Sequence, residues 1–238
     1  MPDHHHEGLR MNYFFLVSRR ICAVSPSTPL KLLTIMGLLI NLLLGGGIAS
    51  AADWCGTLQR ERGPYDYTNP AHTSRYLRLV EAHHFTEDVR TLRRGASSYL
   101  IGDLEYTLNW FPNHHAALDT LTRLALREGT PRPRGSRVEI TCRFKWARDV
   151  NPSDAMVRVI HANYLMRTGD QAAAKEQLVK ASELDSENPE AHYNMGLLFY
   201  RLSEYERALS HAKEAYSAGY PLPGLRNLLE GRGYALGQ

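Results

Sequence analysis

The stretch AMVRVIHANYLMRTGDQAAAKEQLVKASELDSEN occupies residues 155–188, and PEAHYNMGLLFYRLSEYERALSHAKEAYSAGYPL follows it at residues 189–222. The two stretches carry one pattern repeated at a spacing of 34 residues, with a polar turn at Gly169-Asp170 in the first copy and at Ser203-Glu204 in the second. A period of this length with a central turn is typical of helical hairpin repeats. The small or apolar residues that recur in register are Ala162 with Gly196, Leu165 with Phe199, Ala174 with Ala208, Leu178 with Ala212, and Ala181 with Ala215.

Small residues in this pattern predict close contacts between helices. Two antiparallel helices joined by a short turn approach closely only where their side chains are small. A single hairpin cannot bury its own apolar face, so neighbouring hairpins must stack into a curved array. The sequence therefore predicts an all-α chain, folded as an α-solenoid.

The second copy resembles the tetratricopeptide repeat (TPR) family in its spacing and residue types. The matching residues are His192-Tyr193-Asn194-Met195-Gly196-Leu197-Leu198-Phe199-Tyr200, then Tyr205 and Ala208, then Ala212 and Ala215. The first copy departs from the pattern, since His161 replaces the usual apolar residue and Ser186 replaces the proline between repeats. The resemblance implies an array in which the first helix of each hairpin lines a concave surface.

The array extends upstream with a weaker pattern. Residues 147–152 are typical of a second helix that ends at the proline between repeats, and residues 114–127 have helical apolar spacing as its partner. The proline- and glycine-rich residues 129–135 between them predict an enlarged loop. Asn113 is expected to cap the helix that follows it, and Thr86 to begin an earlier helix. The sequence thus predicts about four hairpins.

The predicted organisation has five parts. Residues 1–51 are a signal segment, 52–85 an irregular lead-in, 86–152 degenerate TPR-like hairpins, 153–222 two well-matched TPR units, and 223–238 a C-terminal cap. Three segments are similar to one group of cell-envelope repeat proteins of Gram-negative bacteria. They are Gly63-Pro64-Tyr65-Asp66-Tyr67, Phe111-Pro112-Asn113-His114-His115 and Gly219-Tyr220-Pro221-Leu222-Pro223-Gly224-Leu225-Arg226.

The amino terminus has the three parts of a secretory signal. Basic residues precede an apolar run at 32–44, and small residues follow at Ala49-Ser50-Ala51, which predicts cleavage after Ala51. The alternative is an uncleaved membrane helix, because residues 32–49 approach the ~20 needed to span a bilayer. The leading residues before Met11 are interpreted as an over-long start. Arg19-Arg20 and Cys55 lack the surroundings of a strong twin-arginine motif and of a lipobox, so the general secretory route is favoured.

Removal of the signal segment leaves a chain with almost balanced charge. Four of the 28 basic residues and two of the 25 acidic ones precede Ala52, which leaves 24 basic against 23 acidic. Binding to nucleic acid requires a concentrated basic surface. Neither a nucleic-acid partner nor contact with the membrane after cleavage is therefore predicted.

The cysteines indicate a disulfide. Only Cys55 and Cys142 remain after cleavage, and two cysteines of an exported protein can pair. The bond would tether the lead-in to the third-from-last hairpin. The alternative is two separate buried thiols.

No combination of residues in the sequence specifies a reaction, a metal or a cofactor. The pairs His83-His84 and His114-His115 are adjacent in sequence and cannot form a two-ligand helix face, so they are interpreted as packing or capping residues. Ser97, Ser98 and Ser136 lack a base and an acid at a recognisable spacing, although a triad can assemble from distant segments. Catalytic, metal and cofactor residues are therefore predicted to be none.

The resemblance places a partner groove on the first helices of the two clear units. Aromatic residues, Met and Arg are enriched at protein interfaces, although the same aromatic residues also fill the contacts between units. The lysines of the family's clamp for C-terminal peptides are absent, with Val159 at one of their positions. The predicted groove residues are Asn163, Met166, Arg167, Tyr193, Asn194, Leu197, Tyr200 and Arg201.

These observations favour a periplasmic TPR adaptor or scaffold that binds another envelope protein or peptide, without catalysis. One alternative is an envelope protein that binds a metal or small molecule through its histidines and aromatic lead-in. Another is an inner-membrane-anchored TPR subunit with an uncleaved helix. Neither the partner's identity nor the oligomeric state follows from the sequence, because a repeat scaffold supplies a groove and a few side chains choose its occupant.

Overall fold

The computed structural model describes residues 54–58, 63–184 and 186–236. The signal segment predicted over 1–51, its cleavage after Ala51 and the start at Met11 lie outside these residues. Within the described ranges, none of the helices combines the length and the apolar character needed to cross a bilayer.

The described residues form ten helices and no strand, as expected for an all-α chain. Helix α1 covers 70–84 and includes a π-helical turn at Thr73–Leu77 between α-helical Pro70–His72 and Arg78–His84. The other helices are α2 (Glu87–Arg90), α3 (Leu100–Trp110), α4 (His115–Glu128), α5 (Ile140–Val150), α6 (Ala155–Thr168), α7 (Gln171–Ser182), α8 (Pro189–Arg201), α9 (Tyr205–Ser217) and α10 (Gly224–Glu230).

The helices pair into hairpins that stack as an α-solenoid. The pairs are α1 with α3, α4 with α5, α6 with α7, and α8 with α9. The first helices α4, α6 and α8 pack side by side, and α10 covers the end of the stack against α8 and α9. Leu225 and Leu229 of α10 are fully buried there, as expected for a cap that hides the last apolar face.

Small residues occupy the close helix contacts, as predicted. Ala162, Ala174, Ala208 and Ala212 are all completely buried. At Gly196 a methyl group would lie 2.4 Å from Leu225 Cδ2 and 3.2 Å from the carbonyl oxygen of Ala208. Glycine is therefore required where α8 approaches both α9 and α10.

The turns within the two regular hairpins also follow the predicted register. Gly169 ends α6 with a left-handed backbone at φ 93°, and the Asp170 side chain caps α7. In the second hairpin Ser203 takes the equivalent place at φ 62°. A left-handed backbone is unfavourable for a residue with a Cβ, so this turn carries strain that the glycine avoids.

The lead-in differs from the irregular segment predicted over 52–85, because its second half is the helix α1. The Asn69 side chain caps this helix and Pro70 occupies its first turn, which are strong start signals that the prediction passed over. The helix expected to begin at Thr86 is only the single turn α2. The first hairpin is therefore α1 with α3.

A disulfide joins Cys55 to Cys142, the pairing that the sequence analysis expected. Cys142 lies in α5, which belongs to the third hairpin from the end of the stack. Beside the disulfide, the Trp146 indole donates a hydrogen bond to the carbonyl oxygen of Gly56 at 2.9 Å. The first described residues of the lead-in are thereby held against α5.

Candidate partner-binding groove

The first helices of three successive hairpins line a concave cleft of about 430 Å³. Apolar side chains of α6 and α8 form most of its floor, and polar side chains border it. The apolar lining residues are Ala116, Met156, Val159, Ile160, Leu197 and Leu198, and the polar ones are Tyr67, His115, Asp119, Asn163, Glu190, Asn194 and Arg201.

Helical spacing places these side chains on one face of each helix. On α6 the face carries Met156, Val159 and Asn163, which are three and four residues apart. On α8 it carries Glu190, Asn194, Leu197 and Arg201, which are again three and four residues apart. Because residues three and four apart share a helix face, the repeat stacks these faces into one continuous groove.

The lead-in closes one end of the groove with Tyr67. The Tyr67 ring stacks on His114 at a centroid distance of 4.4 Å and meets His115 edge-on at 5.0 Å. The Tyr67 amide donates to Asn113 Oδ1 at 2.8 Å, which fixes the position of the backbone. The sequence analysis noted Tyr67 only as part of the segment 63–67 and of the aromatic lead-in, and it did not predict the place of Tyr67 in the groove.

A buried polar network beneath Tyr67 holds this end of the groove. Asn113 is fully buried, and its side-chain amide donates to Asp66 Oδ1 at 2.7 Å and to Asp154 Oδ2 at 3.0 Å. His115 Nε2 lies 2.8 Å from Asp154 Oδ2. One amide thus connects the lead-in to the starts of α4 and α6.

The prediction that Asn113 caps the following helix is wrong. The His114 side chain takes that role, since its Nδ1 accepts from the Ala117 amide at 3.2 Å. The Asn113 side chain instead donates hydrogen bonds to Asp66 and Asp154, which are 47 and 41 residues away in the sequence. Cap preference is a local rule, and here a long-range contact overrides it.

The charges of the groove differ between its two ends. Burial raises the pKa of Tyr67, and the carboxylates of Glu81, Glu190 and Asp154 add to this effect. Glu190 stands at the start of α8 and Arg201 at its end, so the rim is acidic beside Tyr67 and basic at the far end. The two edges of the groove, at the start and at the end of α8, therefore carry opposite charges.

The structure divides the predicted groove residues into two sets. Asn163, Asn194, Leu197 and Arg201 line the groove. The other four lie elsewhere: Tyr193, Tyr200, Met166 and Arg167.

Tyr193 and Tyr200 serve the C-terminal cap rather than the groove. Tyr193 is only 7% exposed, and its ring lies 4.4 Å from that of Tyr220. Tyr200 packs edge-on against Tyr205 and accepts a hydrogen bond from Arg232 Nε at 3.3 Å. These two aromatic residues therefore fill contacts within the stack, which was the alternative interpretation of their residue type.

Met166 and Arg167 lie in the last turn of α6, outside the lining. Met166 packs against the core and Arg167 is exposed. The predicted site also omitted nine of the lining residues. Four belong to α4 and the lead-in, for which the resemblance was not specific, and five belong to α6 and α8: Met156, Val159, Ile160, Glu190 and Leu198.

A serine, a histidine and an aspartate do meet near the first hairpin. His84 Nδ1 lies 2.9 Å from Ser97 Oγ and 2.8 Å from Asp103 Oδ1, and Ser97 Oγ donates to the same carboxylate at 2.7 Å. A catalytic triad needs the serine and the aspartate on different ring nitrogens. Here both occupy Nδ1, so the three groups do not have the placement of a triad.

The Asp103 carboxylate anchors the loop that precedes α3. It accepts the backbone amides of Ala96, Ser97 and Ser98. Burial alone would raise the pKa of Asp103, but the hydrogen bonds from Ser97 and His84 outweigh it and the pKa is lowered. Ser136 likewise donates to a structural carboxylate, that of Glu105, which also forms a buried ion pair with Arg143 at 2.9 Å.

Among the described residues, no three His, Cys, Asp or Glu side chains converge as a metal site would require. His83 is exposed, while His114 and His115 are engaged by Glu81 and Asp154. The packing and capping roles predicted for the histidine pairs describe His84, His114 and His115.

Comparison with known proteins supports the repeat assignment. Residues 162–203 match the family described as TPR repeat. DnaJ homolog subfamily C member 3 of Mus musculus is 36% identical over 61 residues, and that of Rattus norvegicus is 34% identical over 61 residues. Each alignment covers 26% of this chain and 12% of the relative. The family match spans most of α6 to α8, and repeats of this family generally mediate protein–protein interaction.

Proposed function

We propose that this chain is an exported adaptor whose groove holds an extended segment of another cell-envelope protein during assembly or maintenance of a complex. The observation that carries the proposal is the groove formed by α4, α6 and α8. Its apolar floor suits side chains of a partner, and its polar rim supplies hydrogen-bond groups to a peptide backbone. Interfaces with an apolar centre and a polar edge are the usual form of protein recognition.

Asn163 and Asn194 support binding of an extended chain in particular. They occupy neighbouring first helices, and both line the groove half-buried. An asparagine side chain offers both a donor and an acceptor, which match the N–H and C=O groups of a peptide. A segment lying across α6 and α8 would therefore be held through its main chain, with its side chains on the apolar floor.

Two features support export. The basic, apolar and small-residue parts of residues 1–51 have the order of a secretory signal. The disulfide between Cys55 and Cys142 suits an oxidising compartment such as the periplasm.

Site-specific photo-crosslinking in living cells tests the groove. A crosslinking amino acid at Leu197 is expected to capture one partner in high yield, because this side chain lies on the groove floor. The matched control is Lys180, which is exposed on α7. Equal capture at both positions would contradict a specific groove.

A pair of variants gives a second measurement. Asn194→Ala with Leu197→Ala is expected to reduce the yield of the complex about tenfold without loss of helical signal, since both side chains line the groove and are only half-buried. Lys180→Ala should leave the yield unchanged. A complex that survives the groove variant would place the partner on another surface.

Export is tested separately by the mass and location of the natural chain. The proposal expects protein in the periplasmic fraction with a mature amino terminus at Ala52. An intact chain in the membrane fraction would instead favour the membrane-anchored alternative, and cytosolic protein would contradict export.

A further inference from the structure

The face of α6 opposite the groove carries Arg158 and His161. At about 100° per residue, these two positions point about 100 to 160° away from Val159 and Asn163. Arg158 Nη1 donates to Gln177 Oε1 of α7 at 3.3 Å, and the His161 ring stacks on Phe144 of α5 at 4.2 Å. This face therefore lies in the seam between the second helices α5 and α7.

His161 is buried without a hydrogen-bond partner among the described residues. It is 9% exposed, and both Nδ1 and Nε2 lack a donor or acceptor there. It stands where the resemblance expects an apolar side chain. A buried polar group normally has a partner, and one without a partner calls for an explanation.

Arg148 approaches the same place from α5. It follows Phe144 by one helical turn, while Arg158 precedes His161 by nearly one turn. Because α5 and α6 run antiparallel, both arginines lie on the same side of the Phe144–His161 stack. Arg148 Nη1 and Arg158 Nε are buried and have no hydrogen-bond partner among the described residues, although both residues are otherwise half-buried and open to solvent.

The cluster of Arg148, Arg158 and His161, which we term the rear cluster, concentrates positive charge. Burial lowers the pKa of His161 to about 3, and the charges of Arg148 and Arg158 contribute to this. Burial also lowers the pKa of Arg148, with the charge of Arg158 as the next cause. The nearby Asp149 acts on Arg148, but its carboxylate accepts from Lys145 Nζ at 2.7 Å.

Two guanidinium groups whose charges act on each other, each with a buried and unused donor, are destabilising unless an acceptor reaches them. We propose that the rear cluster binds one oxyanion, a carboxylate or a phosphate group from outside the chain, between Arg148 and Arg158 and above His161. The planar fork of a guanidinium matches both of these groups through paired charged hydrogen bonds. The site lies apart from the groove, so its failure leaves the proposed adaptor function untouched.

Thermal unfolding of the purified full chain with added anions tests the site. Sodium phosphate and sodium acetate are compared with sodium chloride at equal ionic strength. At ten times its dissociation constant, a bound oxyanion is expected to raise the unfolding midpoint by about 3 to 5 °C. A shift with phosphate alone would identify a phosphate source, and a shift with acetate would identify a carboxylate.

Arg158→Gln and Arg148→Gln are each expected to weaken anion binding about tenfold or more, because a charged hydrogen bond is lost. The control Arg132→Gln removes the same charge from the exposed loop between α4 and α5 and should preserve the shift. Circular dichroism establishes that each variant is folded. Because two variants are made, the site can still be tested if one of them does not fold. No shift beyond chloride, or an equal shift in all three variants, would overturn the proposal.

Discussion

The two regular hairpins, α6 to α9, and the part of the molecule before them are held together by different interactions. In α6 to α9, buried alanines and Gly196 bring neighbouring helices together across short turns. In the preceding part, a disulfide and the network around Asn113 join residues 87, 47 and 41 positions apart. The regular half is stabilised by contacts that each repeat makes with its neighbour. The irregular half depends on specific long-range links.

The largest effect is expected from loss of the disulfide. Replacing Cys55 and Cys142 by alanine should lower the free energy of unfolding by about 4 kcal/mol, because the bond closes a loop of 87 residues. The chain-entropy account predicts the same loss when the natural protein is reduced. Urea unfolding of the variant and of the reduced natural protein measures it.

Hydrogen exchange shows where the disulfide acts. Amides of α5 should lose protection, whereas those of α9 should keep it, because repeats mainly stabilise their neighbours. Equal loss in α9 would show that the two halves unfold as one unit and would remove the contrast between them.

Ala174→Leu is expected to cost about 3 kcal/mol, near the upper end of typical overpacking effects. Ala174 is completely buried in α7, and the extra carbon atoms have no space without separation of α6 from α7. Thermal and urea unfolding provide the measurement.

The control for this substitution lies two residues away. Ala172 is exposed on the same helix, so Ala172→Leu should change stability by less than about 0.5 kcal/mol. If the two substitutions had similar effects, close packing would not explain the stability of the regular half.

Asn113→Ala is expected to cost about 2 kcal/mol, since it leaves the Tyr67 amide without its acceptor and removes one buried donor each from the carboxylates of Asp66 and Asp154. Asn151→Ala is the matched change at the next turn between hairpins. Asn151 is half-buried and donates to Asp66 at 3.1 Å, so a smaller loss is expected.

Exchange of the Tyr67 amide distinguishes these two changes. It should accelerate strongly in the Asn113 variant and only slightly in the Asn151 variant. The opposite order would show that the turn after α5, rather than the buried amide, holds the lead-in.

The smallest expected effect is a pH dependence that arises from His161. Its pKa is lowered to about 3 in the folded chain from an ordinary value of 6.5. As the pH falls, the unfolded chain therefore binds a proton at His161 before the folded chain does. The contribution of His161 to stability is fully present above pH 6.5 and is lost as the pH falls towards 3. Between pH 7 and pH 5.5 this contribution is about 1 kcal/mol.

Two replacements separate titration from packing. His161→Leu and His161→Gln should differ in absolute stability. Between pH 7 and pH 5.5, however, the free energy of unfolding of each variant should fall by about 1 kcal/mol less than that of the natural protein. Urea unfolding in buffers without phosphate or carboxylate measures the difference. A natural protein with the same pH profile as both variants would contradict the prediction.

The contrast between the halves also explains which features the sequence revealed. The period of 34 residues and the positions of Ala162, Ala174 and Gly196 predicted the regular hairpins, because neighbouring repeats bury the same positions. The start of α1 was missed, although Asn69 and Pro70 are recognisable start signals. Together with Gly63 and Pro64, these two residues were interpreted as marks of an irregular segment.

The groove was only partly predictable, for a physical reason. The resemblance to the repeat family placed Asn163, Asn194, Leu197 and Arg201 in a groove, and these four residues line it in the structure. Tyr193 and Tyr200 have residue types that suit an interface and a core equally well. Their burial depends on where the chain after α9 turns back, which repeat spacing does not specify.

The sequence by itself determined the all-helical stack, the two regular hairpins and the pairing partners available to the cysteines. These features depend on local periodicity and on residue types, which remain readable without coordinates. Only the tertiary structure decided that Tyr67 closes the groove, that Asn113 joins three segments and that Arg148 and Arg158 both lie beside His161. Each of those contacts joins elements whose relative positions come from packing of the whole stack, so no local pattern records them.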